Sequence, residues 1–124
     1  LSKHWRLKVF DPAVFQAAHD RQAEATGRMV TIQVAIAGGF REYPGVLAKF
    51  QSLNERDLVA GTTLRQGDVK MVISSTHWPA DVPVRLELKD RIKFDGRSHA
   101  VIHCDPYARM IGEHRIATEV MVRG

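Results

Sequence analysis

The chain of 124 residues contains one cysteine, Cys104, so no disulfide can form within it. A single cysteine is compatible with a reducing compartment. No apolar run approaches the roughly 18 residues that a membrane-spanning helix needs, and the basic N-terminal stretch is not followed by the roughly 7–15 apolar residues of a secretory signal. We therefore expect a protein that is assembled in the cytoplasm and has no membrane partner.

Charge of one sign is not concentrated anywhere along the chain. The sequence has 18 basic and 14 acidic side chains, for a formal net charge of +4. Residues 1–62 hold 8 basic and 6 acidic side chains and residues 63–124 hold 10 and 8, so each half carries +2. Aromatic residues make up 7%, whereas oligonucleotide-binding barrels interleave aromatics with cations on one sheet face. An evenly mixed surface is favoured over a nucleic-acid-binding arm.

Sequence motifs of catalysis and phosphate binding are absent: there is no G-x-x-x-x-G-K, no G-x-G-x-x-G and no G-x-S-x-G. The stretch FDGRSHAVIHC, residues 94–104, is rich in reactive side chains. On a strand, His99 and His103 lie about 13 Å apart, too far to share a metal ion. His103 and Cys104 face opposite sides of the sheet, which prevents a Cys–His dyad. We predict no catalytic residue, no metal ligand and no cofactor, with Cys104 as a small core residue.

One histidine pair needs a separate prediction. If residues 105–112 form a loop, His103 lies directly across from His114, with Cβ atoms about 4.5–5.5 Å apart. Only Asp105 and Glu113 are near enough to complete a Zn²⁺ site. We favour a solvent-facing pair over a metal site.

The sequence pattern predicts one helix followed by short strands. Asp11 and Pro12 are typical of a helix start and Gly27 of a helix end. Its apolar stripe is thin and mostly alanine, so we expect the helix to lie on another element. We predict a single, mainly β domain over residues 1–124, with an extended arm (1–10), a helix (11–27) and a small antiparallel β-barrel or sandwich (28–124).

Period-two alternation and turn residues predict the strand positions. Asp95-Gly96 is the dipeptide that a type I′ hairpin turn prefers. Turns are also expected at Tyr43–Gly45 and over residues 105–112. Five or six strands are predicted, over residues 29–36, 46–52, 69–75, 90–94, 97–104 and 113–123, and the alternation of residues 84–89 is also typical of a strand.

Between two predicted strands lies a long polar segment, SLNERDLVAGTTLRQGD, residues 52–68. Loops of more than about 12 residues without structure of their own are usually functional or mobile. We regard this long inter-strand loop as a candidate assembly loop, with an ordinary surface loop as the alternative. Its candidate residues are Asn54, Glu55, Arg56, Asp57, Leu58, Gly61, Thr62 and Arg65.

The N-terminal stretch LSKHWRLKVF mixes apolar and basic residues. An extended arm of this kind is able to add as a strand to a neighbouring protein; the alternative is a loose tail. We also expect a barrel of five or six strands to leave sheet edges that pair with other subunits. The candidate residues of the arm are Trp5, Arg6, Leu7 and Phe10.

An ordered series of turn and strand motifs runs through residues 28–124. It comprises Gly61, Thr62 and Leu64, then Gly67, Asp68 and Lys70, then Asp90, Ile92, Gly96 and Val101, and finally Val122, Arg123 and Gly124. In its order and spacing this series resembles the small head-closure (stopper) or head–tail joining proteins of long-tailed bacteriophages and gene transfer agents. His99 is a departure, because relatives often have an aromatic residue such as Tyr there.

The resemblance implies a structural protein of the virion neck without catalytic activity. Such proteins form a ring of six- or twelve-fold symmetry below the portal or adaptor, and the ring provides the attachment site for the tail terminator and tail tube. Their long loop projects toward the central channel and gates the packaged double-stranded DNA. A tail-terminator or other tail-completion protein is the alternative within the same machinery, and a nucleic-acid-binding β-barrel is the alternative from another class.

Overall fold

A computed structural model describes residues 11–51 and 67–124 of the chain. Within these ranges there are one helix and six strands. They are α1 (Pro12–Thr26), β1 (Arg28–Ile36), β2 (Gly39–Gln51), β3 (Val69–Ser74), β4 (Arg91–Phe94), β5 (Arg97–Ile111) and β6 (His114–Arg123).

The six strands form one antiparallel sheet that closes on itself in the order β1-β2-β3-β6-β5-β4. The short strand β4 completes the ring, because it pairs with β1 at residues 31–33 and with β5 at residues 97–100. The predicted fold class is confirmed: the described chain is mainly β, with one helix before a six-stranded antiparallel sheet that closes in a ring. Every described strand has a neighbour on both sides, so the expectation that the barrel leaves an open edge strand is wrong for this part of the chain.

Strand directions define two ends of the closed sheet. Adjacent strands are antiparallel, so the start of β1 lies at the same end as the end of β2, the start of β3 and the end of β6. We call this the Arg123 end, after the last residue of β6, and the opposite end, where β3 finishes, the Ser74 end.

The interior of the sheet is filled by aliphatic side chains at alternate strand positions. The connection between β3 and β4 closes over this core with Val82 and Leu86, and Trp78 packs against it. The largest core side chains that are fully buried are Ile32, Met71, Ile73, Ile92, Val101, Val120 and Val122.

Helix α1 lies against the outside of the sheet. All four residues Met71–Ser74 of β3 are buried, which on an alternating strand requires cover on both faces. Val72 belongs to a second, smaller buried cluster with Ile116 and Ala117, and it is α1 that contacts β3 and β6. The expectation that the alanine-rich helix lies on another element is confirmed.

Polar contacts fasten α1 to the Ser74 end. The Gln16 amide donates to the backbone oxygen of Ile116 at 3.0 Å, and Thr76 donates to Asp20 at 2.8 Å. The Ser74 hydroxyl also donates to Asp20. Burial alone raises the pKa of Asp20, but the hydrogen bonds from Ser74, Thr76 and Gln16 outweigh it and hold this pKa below its ordinary value.

Both predicted helix ends are confirmed, although Gly27 is needed for a different reason than expected. The Asp11 side chain accepts from the Ala13 N–H at 3.0 Å. Gly27 has a φ of −76°, which any residue adopts. A Cβ atom at this position would lie 2.3 Å from the Ala23 oxygen and 2.9 Å from Leu47 Cδ1. Space between helix and sheet therefore selects the glycine.

Replacing Gly27 with alanine is expected to lower the free energy of unfolding by about 1–3 kcal/mol, since the methyl group forces α1 away from β2. Gly39→Ala is the matched control, because a Cβ atom there has no neighbour within 4 Å. Urea denaturation of the two variants measures the difference. Equal stability of the two variants would contradict this account of Gly27.

The predicted turn at Tyr43–Gly45 is wrong. These residues lie inside β2, and the hairpin turn is at Ala37-Gly38. The pairing steps from Val30 opposite Val46 to Ile32 opposite Tyr43. Pro44 and Gly45 therefore form a bulge, which accommodates the missing N–H of proline and the positive φ of 71° at Gly45.

The predicted strand over residues 84–89 is also wrong. Val84 and Leu88 are 45% and 71% exposed, whereas Leu86 between them is buried. The Leu86 N–H donates to Cys104 Sγ at 3.3 Å, and the Glu87 N–H donates to the Asp90 carboxylate at 2.8 Å. Side chains thus satisfy backbone groups that a strand would give to a neighbouring strand.

The predicted loop over residues 105–112 is strand in the structure. β5 continues to Ile111, and register shifts accommodate Pro106. His103 consequently lies opposite Met121, and His114 opposite Ile111. The expected pairing of His103 with His114 is wrong. The type I′ turn at Asp95-Gly96 is confirmed by positive φ values of 52° and 74°.

Candidate functional site

The predicted assembly residues lie outside the described residues. This holds for the arm residues Trp5, Arg6, Leu7 and Phe10 and for the loop residues Asn54, Glu55, Arg56, Asp57, Leu58, Gly61, Thr62 and Arg65. The positions where both segments join the fold are described. The loop leaves at Gln51 and returns at Gly67, and the arm joins at Asp11.

The two attachment points lie at opposite ends of the sheet. Gln51 ends β2 and Val69 begins β3, so the loop joins the fold at the Arg123 end. Gln16, in the second turn of α1, bonds to Ser74. α1 then runs to Thr26, two residues before β1 begins with Arg28 at the Arg123 end. Asp11 therefore lies near the Ser74 end. Fifteen helical residues span about 22 Å, which is the order of the separation.

A bidentate ion pair fixes the point where the loop returns. Arg123 Nε and Nη2 donate to the two carboxylate oxygens of Asp68 at 2.9 and 2.8 Å. The Asp68 side chain is 3% exposed and that of Arg123 is 31% exposed. The hydrogen bonds from Arg123 to Asp68 raise the pKa of the guanidinium. Two motifs that are far apart in the sequence, Gly67-Asp68 and Val122-Arg123-Gly124, thus meet at one place.

A second ion pair supports the first. Lys70 Nζ lies 2.9 Å from Glu119 Oε1, and the two side chains are 12% and 19% exposed. Lys70 follows Asp68 by two residues and Glu119 precedes Arg123 by four, so both pairs lie on the same face of the β3–β6 ladder. Together they hold the start of β3 against the end of β6.

A stack of rings lies at the same end of the sheet. His99 stacks on Phe94 with centroids 3.9 Å apart and an angle of 6°, and Phe50 meets Phe94 edge-on at 4.9 Å. The Arg28 guanidinium lies 4.5 Å from the Phe50 ring centre and pairs with Asp95. His99 therefore occupies a stacking position that suits an aromatic ring.

Phe50 precedes Gln51, the last described residue before the loop. The stack thus supports the outgoing side of the loop as the Asp68–Arg123 pair supports the returning side. The rings contact one another and Arg28, so their faces are used for packing in the fold.

The reactive residues of the 94–104 stretch are dispersed in the fold. Cys104 is 5% exposed, as expected for a core residue, and burial raises the pKa of its thiol. His103 is exposed, whereas His99 belongs to the ring stack. Across residues 11–51 and 67–124, no three His, Cys, Asp or Glu side chains are grouped as metal ligands.

The helix in the described part of the chain is too short and too polar to cross a membrane. Comparison of the sequence with protein-family models and with curated proteins, and of the fold with solved structures, found no significant match.

Proposed function

We propose that this chain is a structural connector of the virion neck, a head-closure protein that forms a six- or twelve-fold ring below the portal or adaptor. In this role the ring retains packaged double-stranded DNA and presents the attachment site for the tail terminator and tail tube. It is a binding role that needs no catalytic residue and no cofactor. The proposal rests on the family resemblance of the motif series.

The structural observation that supports the proposal most is the anchoring of the candidate assembly loop. A loop that blocks DNA under pressure needs a fixed root, by which we mean the residues where the loop joins the sheet. These residues must stay in place when the loop is pushed. The Asp68–Arg123 and Lys70–Glu119 pairs join the root to β6, which lies in a closed sheet. Three residues of the motif series, Asp68, Lys70 and Arg123, therefore take part in the ion pairs at the base of this loop.

The positions at which the arm and the loop join the fold also suit a connector. A protein between a head and a tail needs contacts on two opposite sides. The arm joins at the Ser74 end and the loop joins at the Arg123 end. Because the sheet closes, we assign contacts between subunits to the arm, not to an open edge strand.

Heads that lack this protein provide the test of the loop. We expect the added full chain to close such heads and to protect their DNA from nuclease. A variant in which a six-residue Gly-Ser linker replaces residues 54–65 should retain DNA at least tenfold less well while binding the heads equally. Lys93→Ala, which alters an exposed residue of β4, is the control. Full DNA retention by the linker variant would contradict the channel role of the loop.

Experiments with the same heads and with the isolated subunit distinguish the head-closure role from the alternative functions. A chain truncated before Asp11 should fail to join the ring, and its full activity would show that the arm is dispensable. A tail-terminator protein would bind isolated tails before heads, the reverse of the order expected here. A nucleic-acid-binding module would bind free DNA as an isolated subunit, with an affinity that falls steeply as salt is raised.

A further inference from the structure

A groove between α1 and the β5–β6 hairpin belongs neither to the loop root nor to the arm. It encloses about 260 Å³, somewhat below the range of sites for whole small molecules. Its size suits one or two side chains of a peptide. One side is the helix face of Phe15, Ala18 and His19, and the other is Arg109, Ile111 and Ile116 on the hairpin.

The groove combines apolar walls with an unpaired cation. Phe15 is 39% exposed although it lines the groove, and Ile111 and Ile116 form the opposite wall. Among the described residues, Arg109 makes no ion pair, and neither its Nε nor Nδ1 of His19 has a hydrogen-bond partner although both atoms are buried. Buried polar atoms are normally hydrogen-bonded, so a partner for these groups is expected.

Charges around the groove favour an anionic partner. Burial lowers the pKa of His19, and the positive charges of Arg109 and Lys49 lower it further. The nearby carboxylate of Asp20 raises it, but Asp20 is already engaged by Ser74, Thr76 and Gln16. The cationic groups are therefore in excess over free carboxylates at this place.

We propose that this groove binds an acidic peptide segment of another protein, with an apolar side chain between Phe15 and Ile116 and a carboxylate on Arg109. Charge argues against the chain's own arm as the occupant. Residues 1–10 contain Lys3, Arg6 and Lys8 and no acidic residue, so a neighbouring copy would bring like charge to Arg109. The proposal goes beyond the connector role and holds whether or not the chain forms a ring.

Titration of the full chain with synthetic peptides tests the proposal. The acidic apolar probe is GDELFEDLSG, and its two controls are GDESSEDSSG, which lacks the apolar residues, and GKRLFRKLSG, which reverses the charge. A peptide of residues 1–10 is the fourth probe. We expect only the first to shift the amide resonances of residues 15–22 and 109–116, and to bind at least tenfold more tightly than the others.

Variants of the protein locate the binding site. Arg109→Gln should weaken binding of GDELFEDLSG about tenfold, as the loss of a charge-assisted hydrogen bond predicts, whereas Arg97→Gln on the exposed start of β5 should change it less than twofold. Phe15→Ser should weaken binding about fivefold. Val14→Ser is its matched control, because Val14 is 55% exposed on the same helix and does not line the groove.

Four results would overturn the proposal, and the first three concern the synthetic probes and the variants. They are binding of none of the probes at the groove, equal binding of the acidic and basic probes, and equal effects of Arg109→Gln and Arg97→Gln. Preferential binding of the peptide of residues 1–10 would also overturn it and would make the groove a contact between copies of this chain. Each readout uses the isolated protein, so it does not depend on whether the chain closes heads.

Discussion

Replacing Asp90 with alanine is expected to lower the free energy of unfolding by about 3 kcal/mol, one of the two largest losses among the substitutions considered. Asp90 is 4% exposed. Its carboxylate accepts from the Ala35 N–H at 2.9 Å and from the Glu87 N–H at 2.8 Å. Alanine leaves both donors without this partner, and a hydrogen bond to a charged group contributes about 1.5–3 kcal/mol.

Two further variants make this expectation specific. Asp90→Asn keeps one acceptor oxygen in place and should lose about half as much stability. Asp81→Ala removes an exposed carboxylate from the same connection and should change stability by no more than about 0.5 kcal/mol. Urea denaturation followed by circular dichroism gives the three values. A loss in Asp90→Ala no greater than that in Asp81→Ala would refute the anchoring role.

The position of Asp90 explains why so much depends on one side chain. It binds β1 through Ala35, and its backbone oxygen accepts from the Val101 N–H of β5 at 3.1 Å. β4, which begins at the next residue and lies between β1 and β5, has only four residues. Asp90 thus joins the two strands that β4 alone would otherwise connect. Asp90, a residue of the motif series, therefore has a role in holding the fold together.

Local patterns predicted the parts of the fold that local interactions determine. Asp11 caps the helix through a bond to Ala13, two residues away. Asp95-Gly96 adopts the positive φ values that a type I′ turn requires. These features depend on residues that are close in sequence, and they formed where they were predicted.

Prolines were the main source of error in the strand positions. The sequence around Pro44 and Pro106 is typical of turns and predicts a turn at each. In the fold, both lie in irregular stretches of long strands, where the register shifts. Whether a proline ends a strand or sits in a bulge depends on the partner strand, which local sequence does not specify.

The sequence predicted individual residues of the candidate site but not the contacts between them. Asp68 and Arg123 each belonged to a motif, but their contact depends on β3 pairing with β6 across the intervening β4 and β5. The helix face of Phe15, Ala18 and His19 has helical spacing, yet its partner Arg109 lies on a segment that was predicted as a loop. Long-range pairing of this kind was the missing information.

Closure of the sheet relates the two ends of the molecule to each other. The root of the candidate loop and the attachment of the arm are both tied to β3, at Val69 and at Ser74. Residues 71–74 of this strand are buried. The packing of this core should matter most at β4, which is the shortest strand of the closed sheet.

Replacing Ile92 with alanine is expected to lower the free energy of unfolding by about 3 kcal/mol, within the range of about 2–5 kcal/mol for such core truncations. Ile92 is fully buried and lies opposite both Ile32 on β1 and His99 on β5. It is the side chain through which β4 joins its two neighbours in the core. The loss therefore combines two terms: the hydrophobic free energy of the removed carbon atoms, and the cavity left where β4 closes the sheet.

The adjacent residue provides the control. Lys93 follows Ile92 on the same strand but is exposed, so Lys93→Ala should change stability by no more than about 0.5 kcal/mol. Native-state hydrogen exchange should show the largest loss of protection in Ile92→Ala at residues 31–33 and 97–100, which pair with β4. Comparable stability of the two variants would be incompatible with a sheet that β4 closes. Uniform loss of protection over all six strands would instead mean that the closed sheet unfolds as one cooperative unit, with β4 no weaker than the rest.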